Sequence, residues 1–290
     1  MNRFPAYERS ATPMGTLIRS GVVYFILAVV SAGFLLPLAW MVSVSLQDIR
    51  GVFAQPFVWL PAHPQWTNYS DVATLLPFGR YLVNTVIVTG FVLIGTLFSC
   101  SLVAYGFSRI RFRGRGVLFA ICLSTMMLPG QVTMIPLYIM FARIGWVDTL
   151  WPLIVPSFFG APFYIFLLRQ FFLTIPREYD EAARLDGAGR FRVYWSIILP
   201  MAKPALITVA LFTFIGTWND FFTPLIYINS PENATLTLGL NMLKSQIVGT
   251  GMTQWHLLMA AACMVMIPNI LLFTLGQRYL VKGIAMGGMR

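Results

Sequence analysis

Charged side chains are scarce in this chain of 290 residues. They make up 10% of it, against about 25% in an average soluble domain. Hydrophobic residues reach 58%, and apolar runs longer than 18 residues recur, so a soluble globular domain is excluded and a bilayer is the expected solvent. Histidine is nearly missing. His63 and His256 have no ligand companions at metal-binding spacing, which leaves no zinc-type centre. No Ser-His-Asp or Cys-His set emerges either, so an enzyme has little support. The three cysteines, Cys100, Cys122 and Cys263, each fall inside an apolar run. They form no secreted-type disulfide framework and read as small core or lipid-facing residues. The chain also lacks a Gly-x-x-x-x-Gly-Lys-[Ser/Thr] loop, so it does not bind ATP in the P-loop way.

What is present is a series of apolar segments. The first runs over about residues 22–46, with Pro37 placed to kink it; it is too long for a signal-peptide core and lacks a small-residue cleavage site. A polar, aromatic loop follows over 47–80, with Trp59, Trp66 and Tyr69 suited to a water–lipid boundary and prolines that disfavour a long helix. Further spans are expected over about 81–107, 117–141, 149–172, 204–228 and 256–277. The third carries Pro129-Gly130-Gln131 and Pro136. The fold class predicted is therefore all-α and integral to the membrane, with six transmembrane helices and a polar hairpin at 173–203 between the fourth and fifth.

The net charge of +10 follows from topology. Three cations lie in the N-terminal tail, four in the loop 108–116, five in the hairpin and three in the C-terminal tail; with Arg169 these are sixteen of the twenty Lys and Arg. Only Arg50, Arg80, Arg143 and Lys244 fall on the other side. The positive-inside rule then places both termini and the hairpin in the cytoplasm of a multi-pass membrane protein. Cations spread over short loops, with no single basic face, also speak against nucleic acid. The expected division is a cytoplasmic tail 1–21, a transmembrane domain 22–281 with its core at about 78–281, and a tail 282–290.

The hairpin is the most informative stretch. Pro176 suits a helix start, and Glu178, Asp180 and Glu181 favour the positive end of the helix dipole. Gly187 stands where a left-handed C-terminal cap is expected. Tyr179, Ala182 and Ala183 fall on one face at helical spacing, and so do Phe191, Tyr194, Trp195 and Ile198 in the second arm. Pro200 and Pro204 bracket the exit.

This segment resembles the cytoplasmic EAA loop of the membrane subunits of bacterial ABC importers. That pattern is Glu-Ala-Ala, three residues, Gly, nine residues, Ile, one residue, Leu-Pro. Glu181, Ala182, Ala183, Gly187, Ile197, Leu199 and Pro200 match all seven fixed positions, a coincidence on the order of one in 10^8 per starting position from average residue usage. The likeness extends from about residue 45 to the C-terminus. It includes Phe112-Arg113-Gly114-Arg115, Met126 to Val132, Phe166 to Phe172, Ile175-Pro176, Trp218-Asn219-Asp220-Phe221 and Gln277-Arg278-Tyr279. These resemble the carbohydrate-type permeases, in particular the second permease subunit of the maltose and glycerol-3-phosphate type.

The resemblance implies a heterodimer with a second permease subunit, two ATP-binding-cassette ATPase subunits below, and a solute-binding protein outside. ATP and Mg would be bound by the ATPase, and this chain would carry no cofactor, metal or catalytic residue. The hairpin would be the coupling helix. Glu181 would pair with a basic group of the ATPase, Ala182 and Ala183 would permit close approach, and Gly187 would permit the turn. The loop 229–255 matches the position of a loop that reaches into the binding protein in maltose-type relatives, with Lys244 to Gly251 at its tip; a plain connection is the other reading.

Gln131, Trp218, Asn219 and Asp220 are the candidates for lining the pathway. Asp220 is the one acid well inside a span. It lines the path, or it is an acid capped by Asn219, Thr217 or Thr223 near the boundary. Gln131 lines a cavity at a Pro-Gly break, or it packs its amide at a kink. Asn84 and Asn269 are candidates for helix–helix hydrogen bonds. No Lys or Arg lies deep in a span, which favours a neutral sugar or oligosaccharide over a phosphorylated solute. The rival readings are a secondary transporter or channel without an ATPase, and a membrane anchor whose hairpin recruits a regulator.

Overall fold

A computed structural model describes residues 13–54, 56, 58–249 and 254–287, with the side chains of 13–18, 246–249 and 277–287 left aside. The extreme tails and residues 250–253, which include the last two of the expected loop tip, lie outside the described residues. Every regular element among them is helical. In chain order they are α1 (Pro13–Ser45), α2 (Ile49–Val52), α3 (Thr67–Leu75), α4 (Phe78–Arg109), α5 (Arg115–Ser124), α6 (Gly130–Arg143), α7 (Trp151–Ile154), α8 (Pro162–Thr174), α9 (Glu178–Leu185), α10 (Arg190–Val193), α11 (Leu199–Met201), α12 (Lys203–Trp218), α13 (Phe222–Tyr227), α14 (Leu236–Gly249) and α15 (Trp255–Gly287). Four stretches are long and apolar enough to cross a membrane, and two bent helix pairs raise the number to as many as six.

The chain divides into two compact units. In the first, Met1–Tyr69 with Gln254–Cys263, α1 supplies 33 residues of helix, about 50 Å at 1.5 Å per residue, more than the roughly 30 Å of hydrocarbon in a bilayer. Its last carbonyls are closed by Asn68, whose Nδ2 donates to the Ser45 and Gln47 carbonyls at 2.8 Å each. Gln47 Nε2 donates to the Val58 carbonyl at 2.7 Å. Before α4 begins at Phe78, the described residues of the expected loop 47–80 hold the short helices α2 and α3, as its prolines predict.

In the second unit, Ser70–Thr253 with Met264–Arg290, α4 is the hub. It packs against α8, α12, α14 and the 3₁₀ turn Val155–Phe159. Its buried face is built of small and hydroxylated residues, including Gly95, Thr96, Ser99, Ser101, Ala104 and Ser108. In lipid such residues let backbones approach and give hydrogen bonds between helices. A Cβ on Gly95 would lie 2.8 Å from the Phe158 ring, so only glycine allows this approach. Asn84 Nδ2 donates to the carbonyls of Glu232 and Ala234 at 2.9 and 3.0 Å, which ties α4 to a connecting turn and not to another helix.

Two expected spans are broken. The stretch 117–141 becomes α5 and α6, bent by 96° at the Pro129-Gly130 break. The stretch 204–228 becomes α12, which stops at Trp218, and the short α13. α12 has 16 residues, about 24 Å of helix, too short to cross alone. The expected loop 229–255 contains a further helix, α14, which lays Leu236, Gly239 and Leu243 on one buried face.

The connections after α6 and α13 are held together by Asp148, which sits at φ +64°. Its Oδ1 accepts the backbone N–H groups of Asn229 and Ser230 at 2.9 and 2.7 Å, and the Ser230 hydroxyl donates to Oδ2. The Ser230 hydroxyl, then the backbone N–H groups, hold the carboxyl below the usual aspartate value. A depressed native value means the stabilisation is fully present above the ordinary value of about 3.9 and is lost as pH falls through the native one. Asp148→Asn is expected to speed amide exchange at Asn229 and Ser230 at neutral pH. Unchanged exchange rates at those two amides would contradict the clamp.

Candidate coupling hairpin and pathway cavity

α9 begins after Pro176, with Glu178, Asp180 and Glu181 in its first turn and Arg184 in its last. It ends in a complete Schellman motif: Ala188 N–H donates to the Ala183 carbonyl at 2.9 Å, and Gly187 N–H to the Arg184 carbonyl at 3.0 Å. Gly187 has φ +80°, as its position past the last helical turn predicts. The second arm runs through α10, a π turn at Tyr194–Ile198, and α11. Pro200, just past the π turn, has no N–H to return to the preceding turn, a setting in which π geometry is favoured.

The two arms do not present single apolar faces. Ala183, Val193, Tyr194 and Ile198 are buried with Leu168 and Phe172 of α8. Tyr179, Phe191 and Trp195 of the same expected faces point outward, and Ala182 is exposed too. The reason lies at Asp180, which turns inward to Arg109. Arg109 Nη1 meets Asp180 Oδ2 at 3.3 Å with both side chains buried. Arg109 Nη2 donates to the carbonyls of Phe172 and Ile175 at 2.5 and 2.7 Å, closing the C-terminal end of α8. Pairing Asp180 with the membrane core rotates α9, so that Tyr179 and Ala182 face away from it.

Of the seven pattern residues, Ala183 is buried, Ile197 and Leu199 pack against the same core, and Glu181, Ala182, Gly187 and Pro200 are exposed. Beside the hairpin lies a cavity of about 340 Å³, lined by Arg109, Arg111, Arg177, Arg184 and Arg190 with Asp180 and Glu181 among them. Arg169, at the hairpin's edge, lies over the Phe119 ring at 4.1 Å, a cation–π contact.

The second feature is a cavity of about 430 Å³ between α4, α6, the 151–156 stretch and the break after α12. Its polar lining is Thr85, Gln131, Thr217, Asp220, Thr223 and Thr235, set among apolar and aromatic groups such as Phe141 and Tyr227. Asp220 is the one charged residue in that lining. Its Oδ1 accepts the Thr223 N–H at 3.1 Å and so caps α13. Asp220 thus accepts a hydrogen bond from Thr223, one of its three expected capping partners, and also lines the cavity. Trp218 and Asn219 stand apart from the cavity. Trp218 is buried and donates Nε1–H to the Val265 carbonyl at 3.0 Å. Asn219 exchanges side-chain hydrogen bonds with Asn269, at 2.9 Å for the shorter. Sequence reasoning placed Gln131 and Asp220 among its candidates and passed over Thr85, Thr217 and Thr235. Threonine is too common in membrane helices to stand out unless the folded partners are known.

No group of three or more His, Cys, Asp or Glu comes together among the described residues. The arrangement is that of a membrane unit with a polar hairpin and a mixed polar and aromatic chamber. Residues 98–286 match the family described as "Binding-protein-dependent transport system inner membrane component". The chain is 36% identical to a probable ABC transporter permease protein, YurM, of Bacillus subtilis, over 88% of this chain and 83% of that one. It is 30% identical to the diacetylchitobiose uptake system permease protein NgcG of Streptomyces coelicolor, over 88% and 84%. A solved bacterial ABC transporter involved in the import of the acidic polysaccharide alginate superposes with a TM-score of 0.80 at 27% identity, covering 95% of this chain and 99% of that one. The chain is therefore an all-α membrane permease and belongs to the family of binding-protein-dependent transport system inner membrane components.

Proposed function

We propose that this chain is one half of the pore of an ATP-driven importer for a neutral sugar or oligosaccharide. A second, different permease completes the pore, two ATPase subunits seat on the hairpins, and an extracytoplasmic binding protein delivers the solute. Both termini lie in the cytoplasm, the side on which sixteen of twenty cations fall.

The observation that carries the coupling role is the outer surface of the hairpin. Leu185 is 90% exposed at the end of α9, and Phe191 and Trp195 are 66% and 58% exposed, stacked with centroids 6.4 Å apart. A patch of this kind on a polar segment outside the membrane-spanning helices calls for a protein partner. Burying a leucine contributes about 1.5–3 kcal/mol, so Leu185→Asp is expected to weaken ATPase association at least about tenfold. Co-purification of the ATPase at the normal level, with normal uptake, would contradict the seat.

The choice of a neutral solute rests on the larger cavity. Its lining holds hydroxyl, amide and aromatic groups, which suit sugar hydroxyls and sugar faces, and one carboxylate with no Lys or Arg. An anionic solute such as the alginate of the solved relative would meet repulsion there and no counter-charge. In uptake assays, unlabelled neutral oligosaccharides are expected to compete and uronate or phosphate-bearing ones to fail. Competition by the anionic set alone would reverse the assignment.

A further inference from the structure

α4 carries three buried polar side chains at intervals of four, and each reaches a different part of the hairpin. Ser101, Tyr105 and Arg109 share one face of the helix and are 2%, 4% and 7% exposed. Ser101 Oγ and Tyr194 OH lie 2.8 Å apart, in hydrogen-bond contact at the π turn. Tyr105 OH donates to the Arg190 carbonyl at 2.9 Å, where the second arm begins. Arg109 pairs with Asp180 in α9 at 3.3 Å and holds the end of α8 through the Phe172 and Ile175 carbonyls. The Tyr105 and Tyr194 rings add a tilted contact at 5.2 Å.

The other end of the same helix lines the larger cavity through Thr85, Val88 and Val92. From Arg109 back to Thr85 is about 36 Å at 1.5 Å per residue. Apolar packing alone tolerates sliding, whereas buried hydrogen bonds are directional and costly to leave unmade. The chain links the hairpin to α8 through Ile175-Pro176-Arg177, and its arms meet at the Gly187 turn. Ala183, Val193, Tyr194 and Ile198 pack on Leu168 and Phe172 of α8, and the polar contacts to α4 add direction to that apolar packing.

We propose that Ser101, Tyr105 and Arg109 form a polar ladder that makes the hairpin and α4 one rigid body. A displacement of the hairpin then moves the cavity wall at Thr85, Val88 and Val92 directly. The three are positioning residues, and the proposal rests on the reading of the hairpin as the ATPase seat.

The test is made on the complete complex, with its ATPase and binding protein, in proteoliposomes, measuring ATP hydrolysis and solute uptake together. Tyr105→Phe removes one hydroxyl and keeps the ring; Ser101→Ala removes one rung. Each is expected to lower the solute carried per ATP about fivefold, the equilibrium worth of one neutral hydrogen bond, while hydrolysis continues. Arg109→Lys keeps the charge but not the two-armed guanidinium, and is expected to leave the ratio low. If hydrolysis and uptake fall together at a constant ratio in all three variants, or neither changes, the rungs only hold the fold and the strut is overturned. Should Arg109→Lys fail to assemble, Tyr105→Phe and Ser101→Ala carry the test. The seat fails by a different result, an ATPase that still binds Leu185→Asp with normal uptake. That result removes the strut as well, whereas an unchanged ratio in an assembled complex removes the strut alone.

Discussion

Asp180→Ala is expected to destabilise the protein by about 3 kcal/mol, because deleting one member of a buried ion pair leaves the other charge desolvated and short of partners. Arg109 keeps its two carbonyl acceptors after the change, which puts the effect at the lower end of the usual range. Asp180→Asn retains an acceptor and is expected to cost less. The double replacement Arg109→Met with Asp180→Leu removes both charges and is expected to recover part of the loss, since apolar pairs of similar volume often replace buried ion pairs without penalty. Thermal unfolding of the detergent-purified protein gives the order: wild type, then Asp180→Asn, then Asp180→Ala. Equal midpoints for Asp180→Ala and wild type would mean that the pair contributes nothing.

Gly187→Val is expected to abolish most uptake while the protein still reaches the membrane. The residue adopts φ +80° with open space around its Cα, so the obstacle is conformational and not a clash. A left-handed conformation costs an ordinary L-residue about 1–2 kcal/mol, and a β-branched one fits it worst. The chain relieves that strain by abandoning the Schellman turn, which moves Leu185 and the second arm out of register. A free-energy penalty of this size depletes the competent hairpin about tenfold or more. Gly187→Asn, which tolerates the left-handed region, is expected to retain uptake. Membrane-level blots beside uptake rates check both variants; normal uptake by Gly187→Val would remove the turn from the coupling account.

Much of this was legible because membrane chains write their constraints in long patterns. The apolar stretches, the Pro-Gly break and the Gly187 cap all depend on neighbours in sequence. What depended on partners far along the chain was not legible. Arg109 stood among four arginines of a short loop and read as a topological charge, yet it is buried against Asp180, 71 residues away. The one signal in the sequence that could have found it is its spacing of four from Tyr105 and eight from Ser101. The Pro129-Gly130 break was legible, but the size of its bend, 96° between α5 and α6, was not. α14 lies inside 229–255, which was expected as a loop, and carries Gly239 on its buried face. That glycine is a contact, since a Cβ there would overlap the Tyr81 ring. At Trp218-Asn219-Asp220 the run of polar and aromatic residues read as one lining segment. A helix end separates their directions: Trp218 turns to Val265, Asn219 to Asn269, and Asp220 to the cavity.

In the proposed function the hairpin hands this permease the work of a separate ATPase. The most direct measurement is to tag the chain, solubilise the membranes of its own host in mild detergent, and identify what co-purifies. The account predicts a P-loop ATPase and a second, non-identical permease, both lost together when Leu185 is replaced by Asp. Recovery of the chain alone, with uptake that survives ATP depletion and collapses with an ion gradient, would contradict it.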